Sequence, residues 1–157
     1  MTVLMDREAI KQILPHRDPF LLIDEIIELE PGKRVVARKH LSDADYWFKG
    51  HFPGHPVQPG VLTVEMLAQA GAVCVLSQPE NRGKLAFFAG IDKARFHRQV
   101  TPGQTLTLEV EMTGYRGAVG FGRGKATVDG KKVATADISF AIGPAAAAGG
   151  DGGSARD

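Results

Sequence analysis

Cysteine is nearly absent from this chain. The single thiol, Cys74, cannot form an intramolecular disulfide, and it stands in an apolar run, where a packed thiol is the ordinary outcome and a nucleophile is not. An excess of charge is missing too. The 19 Lys and Arg are balanced by 18 Asp and Glu, a formal charge of +1, so nothing draws the whole molecule to nucleic acid or to a membrane surface and an acidic partner must use a local patch. No apolar run is long enough to span a bilayer, because the longest is interrupted by Glu65 and Gln69. The opening MTVLMDREAI has neither the apolar core nor the cleavage site of a secretory signal, so the expected compartment is the cytoplasm. What is present is a chain of 157 residues, 43% hydrophobic, which suits one domain with a real core. Residues 1–143 are expected to form it. The remainder, 144–157, is small, polar and glycine-rich and is expected to be disordered.

The chain is organised around residues 50–77, GHFPGHPVQPGVLTVEMLAQAGAVCVLS, a loop punctuated by Pro53, Pro56 and Pro59 that runs into one long apolar segment. Over residues 61–76 apolar side chains fall on nearly every side, the pattern of a helix buried in a core. Pro59 suits its start, since proline needs no N–H partner in the first turn and presets φ, so the helix is expected to begin close to Gly60. Glu65 lies inside it, with Gln69 four residues later on the same face. A carboxylate in an apolar helix is costly unless it is hydrogen-bonded, and burial raises its pKa, which is the profile of a general acid. His51, in the loop, is the side chain best suited to moving protons near neutral pH. Taken singly, each has an equal structural reading: Glu65 capping a stray amide, His51 merely packing. Together, loop and helix favour chemistry. His51 and His55 have the spacing of paired metal ligands on a helix, but the intervening Phe-Pro-Gly cannot be helical and no third ligand is near in sequence, so no metal is expected.

Around this stretch the pattern is mostly strand. Residues 6–14 fit a short amphipathic helix with Asp6 as N-cap and Pro15 as its stop. FLLIDEIIELE and KRVVARKHL, joined by Pro31-Gly32, predict a hairpin. Trp47 and Phe48 are read as anchors of the following loop in the core. Beyond the helix, KLAFFAGIDKARFHRQV predicts a long strand with a bulge at Gly90, residues 105–113 alternate as a half-exposed strand, and Asp129-Gly130 is a strong two-residue hairpin signal between two more strands. One buried helix among several antiparallel strands is an α+β domain with the sheet wrapped round the helix. Its edge strands would be protected by pairing with a second copy.

The segment HFPGHPVQPGVLTVEMLAQ closely resembles the active-site signature of the 3-hydroxyacyl-[acyl carrier protein] dehydratases of bacterial type II fatty acid synthesis, with HFP, P, PGVL and E-x-x-AQ at the same spacings. LPHRDPFLLID, FAGIDKARFHRQVTPG and VDGKKVATADISF resemble other segments of that family, so the likeness covers roughly residues 8–143. Asp18, His55 and Met66 depart from it, and Met66, where a small alanine is usual, bears on acyl-chain preference. The resemblance implies the hotdog fold, a dimer joined edge to edge and commonly a trimer of dimers. It also implies removal of water from a (3R)-hydroxyacyl thioester on acyl carrier protein, without a cofactor. In that scheme His51 of one subunit takes the α-proton and Glu65 of its dimer partner protonates the departing hydroxyl. The Gly60 amide, beside Pro59 at the helix start, would stabilise charge on the carbonyl oxygen, and Gln69 would support the acid. His16, in LPHRDPF, is read as orienting a loop. Lys93, Arg95, His97 and Arg98 form either a solvated strand face or a dock for the acidic carrier, and both readings stand. A hotdog thioesterase and a non-catalytic acyl-carrier binding module are the competing functions. The HFP and PGVL segments favour dehydration over hydrolysis, and a glutamate at position 65 argues against a dehydratase that also isomerises the double bond.

Overall fold

In the computed structural model, which describes residues 2–144, the Asp6 carboxylate accepts from the Ala9 amide at 2.9 Å and starts α1, Arg7–Lys11. This helix is shorter than the expected span: the Ile13 and Leu14 amides both turn back to the Ile10 carbonyl, at 2.9 and 2.8 Å, and bury their side chains ahead of Pro15. β1 (Glu25–Glu30) and β2 (Arg34–His40) form the expected hairpin. A 3-10 helix, Tyr46–Lys49, then leads into the loop of prolines. α2, Gly60–Leu76, begins where the sequence places it, with Pro59 as N-cap. It is followed by β3 (Leu85–Phe96), β4 (Thr105–Arg116), β5 (Val119–Val128) and β6 (Lys131–Gly143).

The six strands make one antiparallel sheet in the order β1-β2-β4-β5-β6-β3, and α2 packs against every one of them. Alternation explains which face it covers. Leu106, Leu108 and Val110 of β4 point inward and are fully buried, as are Met66, Leu67, Ala70, Val73 and Val75 of the helix. Because the sheet curls round α2, thirteen of the helix's residues are buried, which is why no polar face was written into its sequence. The Asp129-Gly130 turn between β5 and β6 has positive φ at both residues, 50° and 78°, the type I′ geometry that its sequence calls for. Bulges interrupt β3 at the expected place, between Phe88 and Gly90, and again between Asp92 and Arg95.

Residues 20–24 depart from the expected strand. Leu21, Leu22 and Ile23 are buried one after another, not alternately, because this stretch is fastened to α2: the Leu22 amide donates to Gln69 Oε1 at 2.9 Å, and Gln69 Nε2 donates to the Phe20 carbonyl at 2.8 Å. A consecutive apolar run looks like strand in sequence but here caps the side of the helix. β3 lies at the end of the sheet, bonded to β6 alone, and carries exposed Phe87, Phe88, Ile91 and Phe96 along its length. The expectation of disorder at the C-terminus falls, apart from Pro144, on residues outside those described. No helix among the described residues is long and apolar enough to cross a membrane.

Candidate active site

Glu65 projects from the middle of α2 into a cavity of about 190 Å³ whose wall it shares with Ala68, Gln69 and Ala72 of the same helix, Phe87 and Phe88 of β3, and His16. Burial in these surroundings pushes its pKa up, and a hydrogen bond from Gln69 Nε2, 3.1 Å away, partly opposes the shift by favouring the ionised form. The result is a carboxyl held toward its protonated state. Gln69 is itself 1% exposed and fully occupied: its oxygen takes the Leu22 amide, and its nitrogen is shared between the Phe20 carbonyl and Glu65. The spacing that put Gln69 on the acid's face in sequence is therefore realised as contact.

His51 is organised by its own loop. The Val57 amide donates to the His51 carbonyl at 2.9 Å, while Phe52 and His55 exchange backbone hydrogen bonds of 2.9 and 2.8 Å, closing a tight turn between the prolines. Inside that frame the ring Nδ1 lies 2.8 Å from the Val57 carbonyl oxygen. A carbonyl can only accept, so Nδ1 carries the proton and the neutral ring leaves Nε2 bare. The Phe52 ring stacks on it, centroids 4.0 Å apart. His51 is not among the residues lining the cavity that holds Glu65. Within one chain the structure does not seat the two groups in one pocket.

At the start of α2 the Leu62 and Thr63 amides turn back to the Pro59 carbonyl, whereas the Gly60 amide has no hydrogen-bond acceptor among the described residues. A free amide at the positive end of a 17-residue helix is suited to a developing oxyanion. A Cβ on Gly60 would lie 2.6 Å from the exposed Phe96 ring, so a larger residue there would have to displace that ring.

The four cationic residues of the 93–98 stretch are divided by the fold. Lys93 and Arg95 line a groove on the outer face of the sheet, together with Arg123, Lys125 and Lys132, which sequence reading did not join to them. Arg98 lines a different hollow, beside Gly60, Val61 and Phe96 at the helix start, and His97 Nε2 sits 3.5 Å from Thr135 Oγ1. His16 has more than a loop to orient, because it forms part of the Glu65 cavity; burial, and secondarily Arg17, lowers its pKa, which favours the neutral ring. No periodicity marks it in sequence. Met66 does not line that cavity: it is fully buried, with Sδ 3.8 Å from Gln58 Nε2. Trp47 and Phe48 anchor the loop as expected, Phe48 buried and Trp47 donating from Nε1 to Gln58 Oε1 at 2.9 Å. Cys74 is buried, and burial raises its thiol pKa to about 11, as befits a packed and unreactive group.

One antiparallel sheet curled round a single helix that carries a cavity-facing carboxyl defines a hotdog-fold domain. The same fold is seen in the dehydratase heterocomplex ApeI:P from Xenorhabdus doucetiae, with a TM-score of 0.72 over 84% of this chain and 89% of that one, at 20% sequence identity. Residues 14–137 match the FabA-like domain. The chain is 56% identical over 142 residues to the 3-hydroxyacyl-[acyl-carrier-protein] dehydratase FabZ of Staphylococcus saprophyticus, covering 90% of this chain and 98% of that one. The FabZ of Staphylococcus aureus strain JH9 is equally similar, with 97% of its length covered. The chain belongs to the FabA-like family and groups with its FabZ dehydratases.

Proposed function

We propose that this protein removes water from a (3R)-hydroxyacyl thioester carried on acyl carrier protein, giving the trans-2-enoyl thioester, in fatty acid biosynthesis. The observation that carries this reading is a pair of groups suited to opposite proton transfers: a helix carboxyl whose pKa is raised by burial, and a loop imidazole whose Nδ1 faces the Val57 carbonyl, which in the neutral ring leaves Nε2 bare. His51 Nε2 takes a proton from C2, beside the thioester carbonyl. Charge builds on the carbonyl oxygen, where the Gly60 amide stabilises it. As the electron pair returns to form the C2–C3 double bond, the C3–O bond breaks and Glu65 gives its proton to the departing hydroxyl, which leaves as water. His51 ends protonated and Glu65 ionised, and one proton transfer between them resets the site.

The pair is completed by two copies of the chain. Support comes from the separation of His51 from the Glu65 cavity and from the free edge of β3, whose exposed Phe87 and Phe88 belong both to that edge and to the cavity wall. An antiparallel β3–β3 contact would bury them and carry the partner's loop to the cavity, and such dimers would assemble in threes. The acidic carrier is received in the groove where Lys93 and Arg95 stand with Arg123, Lys125 and Lys132.

The test is subunit exchange. His51→Ala and Glu65→Ala proteins, each inactive on a crotonyl thioester, are mixed and allowed to exchange. Random equal mixing puts half of the dimers in the mixed form, each with one intact site, so about a quarter of all sites recover. Activity that stays at background after proven exchange rejects the shared site, and wild-type turnover by His51→Ala rejects the base.

A further inference from the structure

We propose that Gln58, held by Trp47, is the positioning residue that sets the proton on His51, an inference that rests on the reading of His51 as the base. Gln58 is a polar side chain only 6% exposed, in a place where an apolar one would fill the space without hydrogen bonds to satisfy. Its backbone amide and both polar atoms of its side chain are used. Its amide donates to the Val100 carbonyl at 2.7 Å, its Oε1 accepts from Trp47 Nε1 at 2.9 Å, and its Nε2 faces Thr63 Oγ1 at 3.3 Å and Met66 Sδ at 3.8 Å.

These contacts matter because of which peptide group they fix. The Val57 carbonyl and the Gln58 amide belong to one planar unit, so their directions are locked together. One end of that plane points to Val100. The other end is the oxygen that accepts from His51 Nδ1. Rotating the plane would withdraw the acceptor from Nδ1, and the imidazole proton would then be free to occupy Nε2, the nitrogen that must be bare to take a proton. The Gln58 side chain resists that rotation from two sides: Thr63 ties it to the first turn of α2, and Trp47 ties it to the 3-10 helix. Trp47 is braced in turn, with buried Lys39 5.9 Å from its ring centre and held by Asp24 and Asp45. Gln58 also precedes Pro59 and Gly60, so the same clamp fixes the amide proposed for the carbonyl oxygen.

The test reads the proton as well as the rate. In ¹⁵N-histidine-labelled protein, the wild-type His51 ring is expected to show a protonated Nδ1 and a bare Nε2, its signals assigned by their loss in His51→Ala. Gln58→Leu is expected to move both signals toward a mixture of tautomers and to lower kcat for crotonyl thioester hydration by about tenfold to a hundredfold, with KM within about twofold, as for partial loss of a general base. Trp47→Phe keeps the ring but not the Nε1 donor, and it is expected to shift the tautomer in the same direction; it decides the matter if Gln58→Leu does not fold. An unmoved tautomer overturns the proposal, whatever happens to the rate. A moved tautomer with unchanged kcat upholds Gln58 as the residue that positions the ring and instead refutes His51 as the base.

Discussion

Replacing Gln69 by leucine separates the two roles that the structure gives this side chain. Leucine has nearly the same volume, so no cavity opens, but three hydrogen bonds vanish. The heaviest loss is at Leu22, whose amide belongs to a residue 1% exposed and has the Gln69 oxygen as its partner. A buried amide left unpaired costs about 1–3 kcal/mol, and each of the other two bonds contributes about 1 kcal/mol net, so the total is about 3–5 kcal/mol. For a domain of this length about 1 kcal/mol shifts Tm by about 2–4 °C, which places the expected drop at roughly 6–20 °C. Thermal melts at one fixed protein concentration measure it, since dimerisation would make Tm concentration-dependent. The second role is electrostatic. The Gln69 hydrogen bond lowers the Glu65 pKa against the rise from burial, so its removal moves that pKa further up. In the pH dependence of kcat/KM, the limb governed by Glu65 is then expected to shift toward alkaline pH. A melt within 2 °C of wild type would refute the assignment of Gln69 as the fastening of residues 20–24. A limb that moves toward acid would refute its role at Glu65.

Glu65→Gln is expected to abolish turnover and, near neutral pH, to raise stability. Because the folded-state pKa is raised above the ordinary 4.5, the wild type loses stability as pH climbs from there through the folded value, and glutamine has no such loss. Melts at pH 7.5 and pH 4 check the sign: the gap should be present at the first and closed at the second, and a wild type as stable as the variant at pH 7.5 contradicts it. Arg95→Glu is expected to weaken use of a carrier-linked substrate several-fold more than use of a short pantetheine thioester, because only the carrier presents an extended acidic surface to the groove that Arg95 shares with Lys93 and Lys125. Equal losses in kcat/KM on the two substrates would mean that the groove is not the dock.

The helix, the turns and most strands were legible because each is written in a local pattern: apolar residues all round α2, strict alternation in β4, Asp-Gly at the β5–β6 turn. What escaped has no local pattern. Residues 20–24 read as strand because burial on consecutive positions resembles a buried strand, and only the distant Gln69 makes them something else. His16 joins Glu65 through the fold alone, with nothing periodic to mark it. Arg123, Lys125 and Lys132 reach Arg95 by strand pairing, through the Lys125–Thr135 and Arg95–Thr135 register across β6. The loop histidine and the helix glutamate were both conspicuous in sequence, but their separation within one chain is written in no local pattern and was expected from the family resemblance alone.

Met66 shows how far a helical repeat can carry such a reading once one face is known. As a bulky residue in place of a small one, next to the acid, it invites the view that it sets acyl-chain preference. Yet adjacent residues on a helix point about 100° apart, so Met66 cannot share the direction of Glu65. The residues of α2 that do line the cavity are Glu65, Ala68, Gln69 and Ala72, the i, i+3, i+4, i+7 positions counted from the acid. Met66 instead turns to the core, where its sulfur meets Gln58 beneath the His51 loop. Two alanines on the acid's own face leave the space that the cavity occupies, opposite the rings of Phe87 and Phe88. If the cavity receives an acyl chain, the room for it is therefore set at Ala68 and Ala72, while the side chain of Met66 is spent in the core against Gln58.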